Sequence, residues 1–281
     1  IMYYISKKQK LERELQFKQK EKLQLEEFHQ AKIRMFTNFS HELRTPLTLI
    51  IAPLQDLVSM PEFSSSVKNK LSLIFSNAQR LLLLVNQLMD LRKNQEGKLK
   101  LHIAKTDMNL FLQEIYYAFN HLAAKKSIEF TFEKSEERMS AWFDKSIVEK
   151  VVFNLLSNAM KFTPNNGKVV FSLSRCTFAE LPSEQQAELN KMSADTRFAC
   201  LSVTDSGKGI TEEDMKNIFA PFYQGEDDNK ENVGTGIGLS LTRSIVLLHK
   251  GTISVSHNQP TGTIFKVYIP VSYTHLRAHE T

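Results

Sequence analysis

The sequence predicts a helical hairpin followed by an α/β two-layer sandwich, and three observations predict it. Residues 7–60 contain no glycine and are rich in Lys, Glu, Gln and Leu. Residues 67–88 carry apolar side chains at steps of three and four. From residue 98 onward, short β-rich runs alternate with helical ones, the pattern of helices laid over one face of a sheet.

Along the first helix, Leu11, Leu15, Leu25, Phe28, Met35 and Phe39 mark a heptad-like seam, interrupted by Lys18 and Lys22. The run Met60-Pro61-Glu62-Phe63-Ser64-Ser65-Ser66 breaks it. Val67, Leu71, Ile74, Ala78, Leu81, Val85 and Leu88 then form the stripe of a second helix, which stops at Gly97. Two antiparallel helices have too little apolar face to stand alone, and a second copy completing a four-helix bundle solves that. Strands are expected at 99–104, 128–132, 169–173, 198–204, 252–256 and 263–269, and helices at 110–124, 145–162 and 237–249. Residues 176–197 read as a long polar connection. The tail 272–281 fits neither the last strand nor a new domain and is expected to be a cloning or assembly scar, so His275 and His279 take no part in the site.

With 281 residues, 42% of them hydrophobic, the chain has room for a sizeable core, and its composition excludes collagen and low-complexity disorder. Cys176 and Cys200 allow at most one bridge and fit a reducing compartment equally well. Residues 1–35 hold nine Lys/Arg against five Glu, so most of the net +5 sits there. That excess follows the apolar stub Ile1-Met2-Tyr3-Tyr4-Ile5, which is too short to span a bilayer. Aromatics followed by Lys7, Lys8 and Lys10 are the pattern of the cytoplasmic edge of a membrane helix lying before residue 1. A frayed helix start with solvated lysines is the alternative. No basic patch interleaved with recognition elements is visible, so direct nucleic-acid binding is not expected.

His41 stands on the wrong side of its helix for a core residue. With Leu43 at zero, Phe36, Phe39, Leu47, Ile50, Leu54 and Leu57 fall within about 40° of it, and His41 falls at roughly 160°. Asn38, Thr45 and Thr48 share its side. An idle surface histidine satisfies the same geometry. The string Asn38-Phe39-Ser40-His41-Glu42-Leu43-Arg44-Thr45-Pro46-Leu47, however, closely resembles the phosphoacceptor box of sensor histidine kinases. An exposed imidazole with an ordinary pKa of about 6.5 keeps a free lone pair at neutral pH, and a neighbouring carboxylate can take its other proton. The resemblance implies that His41 is phosphorylated, that Glu42 is the base, and that Thr45 orients water when a partner regulator is dephosphorylated. Pro46 lacks an amide donor and should bend the helix beside the nucleophile.

On the helix expected at 145–162, Val148, Val152, Leu155, Ala159 and Phe162 make the buried stripe, and Lys150, Asn154, Asn158 and Lys161 line an adjacent flank. Solvated surface would explain that flank. Yet the run from Asn154 through Ala159, Met160, Lys161, Phe162 and Thr163 to Pro164 resembles the asparagine box of the same kinases' ATP-binding domain. The match implies Asn158 as the Mg²⁺ ligand, consistent with the preference of Mg²⁺ for hard oxygen donors. It implies that Asn154 supports it, that Lys161 meets phosphate and that Phe162 packs on adenine. Lys150 lies outside the matched run and is left as solvated surface.

Downstream, Asp205-Ser206-Gly207-Lys208-Gly209-Ile210 is by itself an ordinary turn after a strand. In the family it is the first glycine box, whose aspartate accepts from the adenine amino group while Gly207 and Gly209 admit the base. Ile218-Phe219-Ala220-Pro221-Phe222-Tyr223 resembles the phenylalanine box, with Phe222 at the nucleotide, and the polar stretch 225–233 is expected to be the lid. Gly234-Thr235-Gly236-Ile237-Gly238-Leu239 lacks the last spacing of a dinucleotide fingerprint, and glycine amides opening a helix bind anions in any family, so Gly234, Gly236 and Gly238 are read as triphosphate binders. The turn Gly262-Thr263 before the last strand is either a plain hairpin turn or a ligand contact through Thr263.

Together the boxes span about residues 30–270 and resemble the sensor histidine kinase core: a dimerisation and phosphotransfer hairpin followed by a Bergerat-type ATPase domain. The implied division is 1–30 as a juxtamembrane signalling helix, 31–97 as the dimerisation and histidine phosphotransfer domain, 98–271 as the catalytic ATP-binding domain, and 272–281 as the scar. The resemblance implies a protein-histidine kinase using ATP and Mg²⁺, with reverse phosphatase activity. Its partners would be a second copy and the receiver domain of a response regulator, in trans or further along the full-length chain. It would be the cytoplasmic portion of an inner-membrane protein, and its opening residues and phosphoacceptor box are similar to those of glycan-sensing hybrid systems. A plain ATPase of the wider superfamily and a pseudokinase scaffold are the rivals.

Overall fold

The computed structural model describes residues 43–60, 63–135, 137–189, 192–225 and 236–272. The chain divides into two compact units, between Arg92 and Lys93.

The first unit is a helical hairpin. Helix α1 covers 43–59 and α2 covers Ser65–Gln95. Arg44 Nε donates to Asn86 Oδ1 at 3.1 Å, pairing the described start of α1 with the later half of α2. Helix α2 ends as expected, with Gly97 at φ +65° and the Lys98 N–H returning to the Lys93 carbonyl at 2.8 Å. The apolar stripes are not buried whole. On α2, Leu71 and Ala78 are half-buried and Val85 is buried, whereas Val67, Ile74 and Leu81 are exposed. On α1, Leu47 is buried while Leu43 and Ile50 are exposed, against the expectation that one face buries all three. One helix partner covers only one flank of a stripe this wide, and the uncovered row Val67, Ile74, Leu81 keeps a seven-residue spacing.

The second unit is the α/β sandwich. Strand β1 (Ala104–Asp107) pairs antiparallel with β3 (Ser140–Phe143). Strands β2 (Glu129–Glu133), β4 (Lys168–Thr177), β5 (Arg197–Asp205), β7 (Thr263–Pro270) and β6 (Thr252–His257) form a sheet in that order, parallel only between β2 and β4. Helices α3 (Met108–Lys125), α4 (Lys145–Phe162) and α7 (Gly238–Leu248) pack together over one face of this sheet. Their inner sides bury Phe111, Leu112, Val148, Leu156, Met160 and Ile245. The aspartates preceding α3 and α4 cap them: Asp107 accepts the N–H groups of Asn109 and Leu110, and Asp144 accepts that of Ile147.

Three expectations need correction. Residues 99–103 are not a strand; β1 begins at Ala104, paired with Phe143, and upstream the His102 N–H turns to the Asp144 carboxylate at 2.7 Å instead of a ladder partner. Strand β3 has no expected counterpart. The stretch 176–197 is not simply a polar connection: β4 continues to Thr177, a 3₁₀ turn (Phe178–Glu180) and helix α5 (Ser183–Glu188) follow, and Leu181 and Leu189 are buried with Phe198, Cys200 and Tyr268. Phe198 and Cys200 alternate with Ala199 and Leu201 along β5, so this small second core covers the sheet face away from the three helices.

Candidate functional site

The polar residues expected to bind nucleotide gather where α4, the end of β5, the turn before β7 and the start of α7 come together. Asp205 closes β5 and is buried. Its Oδ1 accepts the Gly207 N–H at 2.8 Å and the Thr263 N–H at 3.3 Å, which ties the first glycine box to the turn entering β7. Oδ2 has no hydrogen-bond partner among the described residues. Burial pushes the Asp205 carboxyl pKa above the usual aspartate value, and the two amides offset only part of that shift.

The glycines around Asp205 are required by close packing. A side chain on Gly207 would stand 2.6 Å from the Phe162 carbonyl, and one on Gly262 (φ +120°) would drive into the Asp205 carbonyl. That same carbonyl accepts from Asn258 Nδ2 at 2.9 Å, while the Asn258 N–H bonds to the Gly262 carbonyl at 3.0 Å. Gly209 faces Gly262 across the turn. The result is a rigid backbone wall carrying one ionisable group with an acceptor atom to spare.

Helix α4 supplies the opposite side. Asn154 Nδ2 donates to Thr242 Oγ1 on α7 at 2.9 Å, and the Asn154 amide lies against Gly238 at the first turn of α7. Asn158, one turn on, is half-buried and has no hydrogen-bond partner among the described residues. A half-buried amide oxygen left unpaired beside a helix N-terminus fits a hard cation with phosphate oxygens as its other ligands. The Lys161 Nζ lies 4.6 Å from the Phe162 ring centre and the Lys208 Nζ 6.0 Å from it, so two cations converge on that ring. Phe162 is half-buried, not part of the fully buried stripe, and Lys150 is exposed.

Beyond α6 (Glu212–Asn217), Tyr223 Oη donates to Asp214 Oδ1 at 2.6 Å and holds the Asp214 carboxyl below its usual pKa. Phe222, at φ +66°, donates its N–H to the Gly236 carbonyl at 2.8 Å, while its ring is 62% exposed and free to meet a ligand. Gly234 lies outside the described residues, as do His41 and Glu42. Thr45 is described, on the exposed side of α1. The structure thus gathers Asn154, Asp205, Gly207, Gly209, Gly238 and Thr263, with Asn158, Lys161 and Phe162 on the same helix as Asn154. Sequence reasoning missed Thr242 and Asn258. The first could have been found, since it lies four residues after Gly238 on one helix face; the second has no signal short of the fold.

Comparison with known proteins finds two family matches along the chain. The "Histidine kinase-, DNA gyrase B-, and HSP90-like ATPase" family matches residues 143–273, and the "His Kinase A (phospho-acceptor) domain" family matches residues 31–97. Histidine kinase P4 of Formosa agariphila is 36% identical over 284 residues, covering all of this chain and 19% of that protein. The sensor histidine kinase TmoS of Ectopseudomonas mendocina is 36% identical over 274 residues, covering 95% of this chain and 26% of that protein. The histidine kinase AdeS of Acinetobacter baumannii superposes with a TM-score of 0.54 at 25% identity, covering 83% of this chain and 98% of that one. The chain therefore spans about a fifth to a quarter of the two curated relatives. No described helix is long and apolar enough to cross a membrane.

Proposed function

We propose, from the premise that this chain belongs to the histidine kinases, that its second unit binds ATP and that the γ-phosphoryl group is transferred to His41. Asp205 Oδ2 accepts from the adenine amino group, an interaction that needs the ionised carboxylate. The Gly207–Gly209 turn and the Gly262–Thr263 turn hold the aspartate rigidly enough to read that one atom. The phosphates lie toward the amides of Gly236 and Gly238 at the start of α7, with Gly234 of the same motif as a third donor, because helix N-termini and their dipole favour negative charge. Lys161 adds a cation, and Phe162 and Phe222 pack on the nucleotide. Asn158 holds Mg²⁺, which when bound neutralises phosphate charge and leaves the rest of the catalysis to positioning.

In the transfer, the Nε2 lone pair of His41 attacks the γ-phosphorus, the N–P bond forms as the bond to the β–γ bridging oxygen breaks, and ADP leaves. Glu42 takes the ring's other proton as positive charge builds on the imidazole. The observation that carries phosphotransfer over hydrolysis is the amide at Asn154. Gyrase-like and chaperone relatives of the fold place a glutamate there to activate water; an amide held by Thr242 takes no proton, so the phosphoryl group is left for the histidine.

The remaining roles are part of the same proposal. Residues 31–97 are the dimerisation and phosphotransfer domain, whose exposed row Val67, Ile74, Leu81 is covered by a second copy in a four-helix bundle. Residues 98–271 are the catalytic domain. Residues 1–30 form the signalling helix of a cytoplasmic portion anchored through a membrane helix. His41 passes its phosphoryl group to an aspartate of a receiver domain, and Thr45 serves the reverse phosphatase reaction. The test is to follow γ-labelled ATP·Mg²⁺ with this chain, His41→Gln and Asn158→Ala. Label retained on the unsubstituted protein and lost in both variants supports the reading; free phosphate release with no labelled protein, unchanged in His41→Gln, overturns it in favour of an ATPase.

A further inference from the structure

Helices α4 and α7 run antiparallel and are tied together at two places. One tie is at the nucleotide end, between Asn154 and Thr242. The other is at the far end, where His249, the residue that follows α7, is 1% exposed. There the His249 Nε2 lies 3.2 Å from the Asp144 N–H, at the cap of α4, and Nδ1 lies 2.9 Å from the Ile245 carbonyl. These neighbours fix the tautomer. A carbonyl only accepts, so Nδ1 carries the hydrogen; a backbone N–H only donates, so Nε2 is bare. Burial holds the imidazole pKa below its usual value and keeps the ring neutral. The Asp144 carboxylate is engaged elsewhere, accepting from the Ser146 hydroxyl, the Ile147 N–H and the His102 N–H.

The ties are ten residues apart on α4 and seven apart on α7, roughly 15 and 10 Å along the axes at 1.5 Å per residue. A pair of stiff helices joined at one point can pivot about it; joined at two, they cannot. We propose that His249 is a positioning residue for the nucleotide site: its acceptor nitrogen fixes the far end of α4 against α7 and thereby sets how Asn154 and Asn158 meet the glycine-rich start of α7. The inference rests on the ATP-binding reading of that site. His249 touches no reacting atom, and its effect is on nucleotide affinity through the spacing of the two helices. By linkage, nucleotide bound at one tie also strengthens the other.

The test compares His249→Gln and His249→Asn in the whole chain, by ATP·Mg²⁺ titration and by thermal unfolding without nucleotide. Glutamine reaches the place of Nε2 and offers an amide oxygen to the Asp144 N–H; asparagine is one carbon shorter and reaches only the Ile245 side. Both variants lose ring volume and unfold at lower temperature. The glutamine variant retains ATP affinity within about threefold, whereas the asparagine variant, with the far tie cut, weakens about tenfold, within the range of coupling between two linked sites. A folded asparagine variant that binds ATP as the glutamine variant does overturns the inference. Should neither variant fold, hydrogen exchange of the unsubstituted protein decides: slower exchange at 144–149 and 245–250 on adding ATP·Mg²⁺ supports the second tie, and unchanged exchange there overturns it. Failure of the unsubstituted protein to bind ATP overturns the nucleotide reading and this inference together, whereas normal binding with indistinguishable variants overturns this inference alone.

Discussion

Replacing Asp205 by asparagine reverses the hydrogen-bonding sense of one atom while keeping the shape of the site. Oδ1 accepts from the Gly207 and Thr263 N–H groups at 2.8 and 3.3 Å, and the asparagine oxygen keeps both bonds. Oδ2, the atom assigned to the adenine amino group, becomes an NH₂ that faces another donor. The variant thus loses a hydrogen bond to a charged acceptor, about 1.5–3 kcal/mol, which weakens ATP binding by about 10- to 150-fold. Inosine triphosphate carries a carbonyl oxygen where ATP has the amino group, so it should bind the variant better than ATP does, reversing the preference of the unsubstituted protein. Competition of the two nucleotides against a fluorescent ATP analogue reads the ratio directly. Because a buried carboxylate with a raised pKa is replaced by a neutral group, the unfolding temperature should hold or rise. An unchanged ATP-to-ITP ratio in a folded Asp205→Asn protein would refute the assignment of Asp205 to the base.

The pH dependence of ATP affinity follows from the same residue. The free carboxylate is protonated as pH falls through its raised pKa, and only the ionised form accepts from adenine, so affinity is full above that pKa and declines below it. The decline starts at a higher pH than an exposed aspartate would give and is absent in Asp205→Asn; parallel titrations of the two proteins measure the difference. Gly262→Ala forces a side chain into the Asp205 carbonyl at φ +120° and should cost about 2–4 kcal/mol, a fall in unfolding temperature of about 5–15 °C by calorimetry. A fall of less than about 2 °C would show that the turn yields. Ile74→Glu with Leu81→Glu places two charges in the exposed α2 row and should make the protein monomeric at micromolar concentration in analytical ultracentrifugation; a surviving dimer would remove that row from the interface.

Helix α4 was legible to the residue because both its ends carry local signals. Asp144 caps the start, and Thr163, preceding Pro164, is forced out of helical geometry at the end. The glycine boxes were legible only through the family resemblance, because the contacts that require Gly207 and Gly262, to the Phe162 and Asp205 carbonyls, come from residues distant in the chain. The strand pair β1–β3 was not legible, because four-residue strands carry almost no periodicity and β1 starts only after Asp144 takes the His102 amide. The α5 excursion escaped notice because its buried residues, Leu181 and Leu189, are separated by a polar helix and find their partners on distant strands. The apolar stripes of the hairpin were found, yet which flank one helix would cover is set by the pairing of α1 with α2, not by the stripe. Asn258 reaches Asp205 across 53 residues, a contact that exists only once β5 and β7 are neighbours.

A protein-histidine kinase acting on His41 leaves the γ-phosphoryl group on that ring. Trypsin releases His41 in the peptide spanning residues 35–44, between the cleavage sites after Arg34 and Arg44. After incubation with ATP·Mg²⁺ and digestion at alkaline pH, where phosphohistidine survives, tandem mass spectrometry should place one phosphoryl group on His41 and find none in the Asn158→Ala protein. A peptide 35–44 that stays unmodified while the chain consumes ATP would contradict the account.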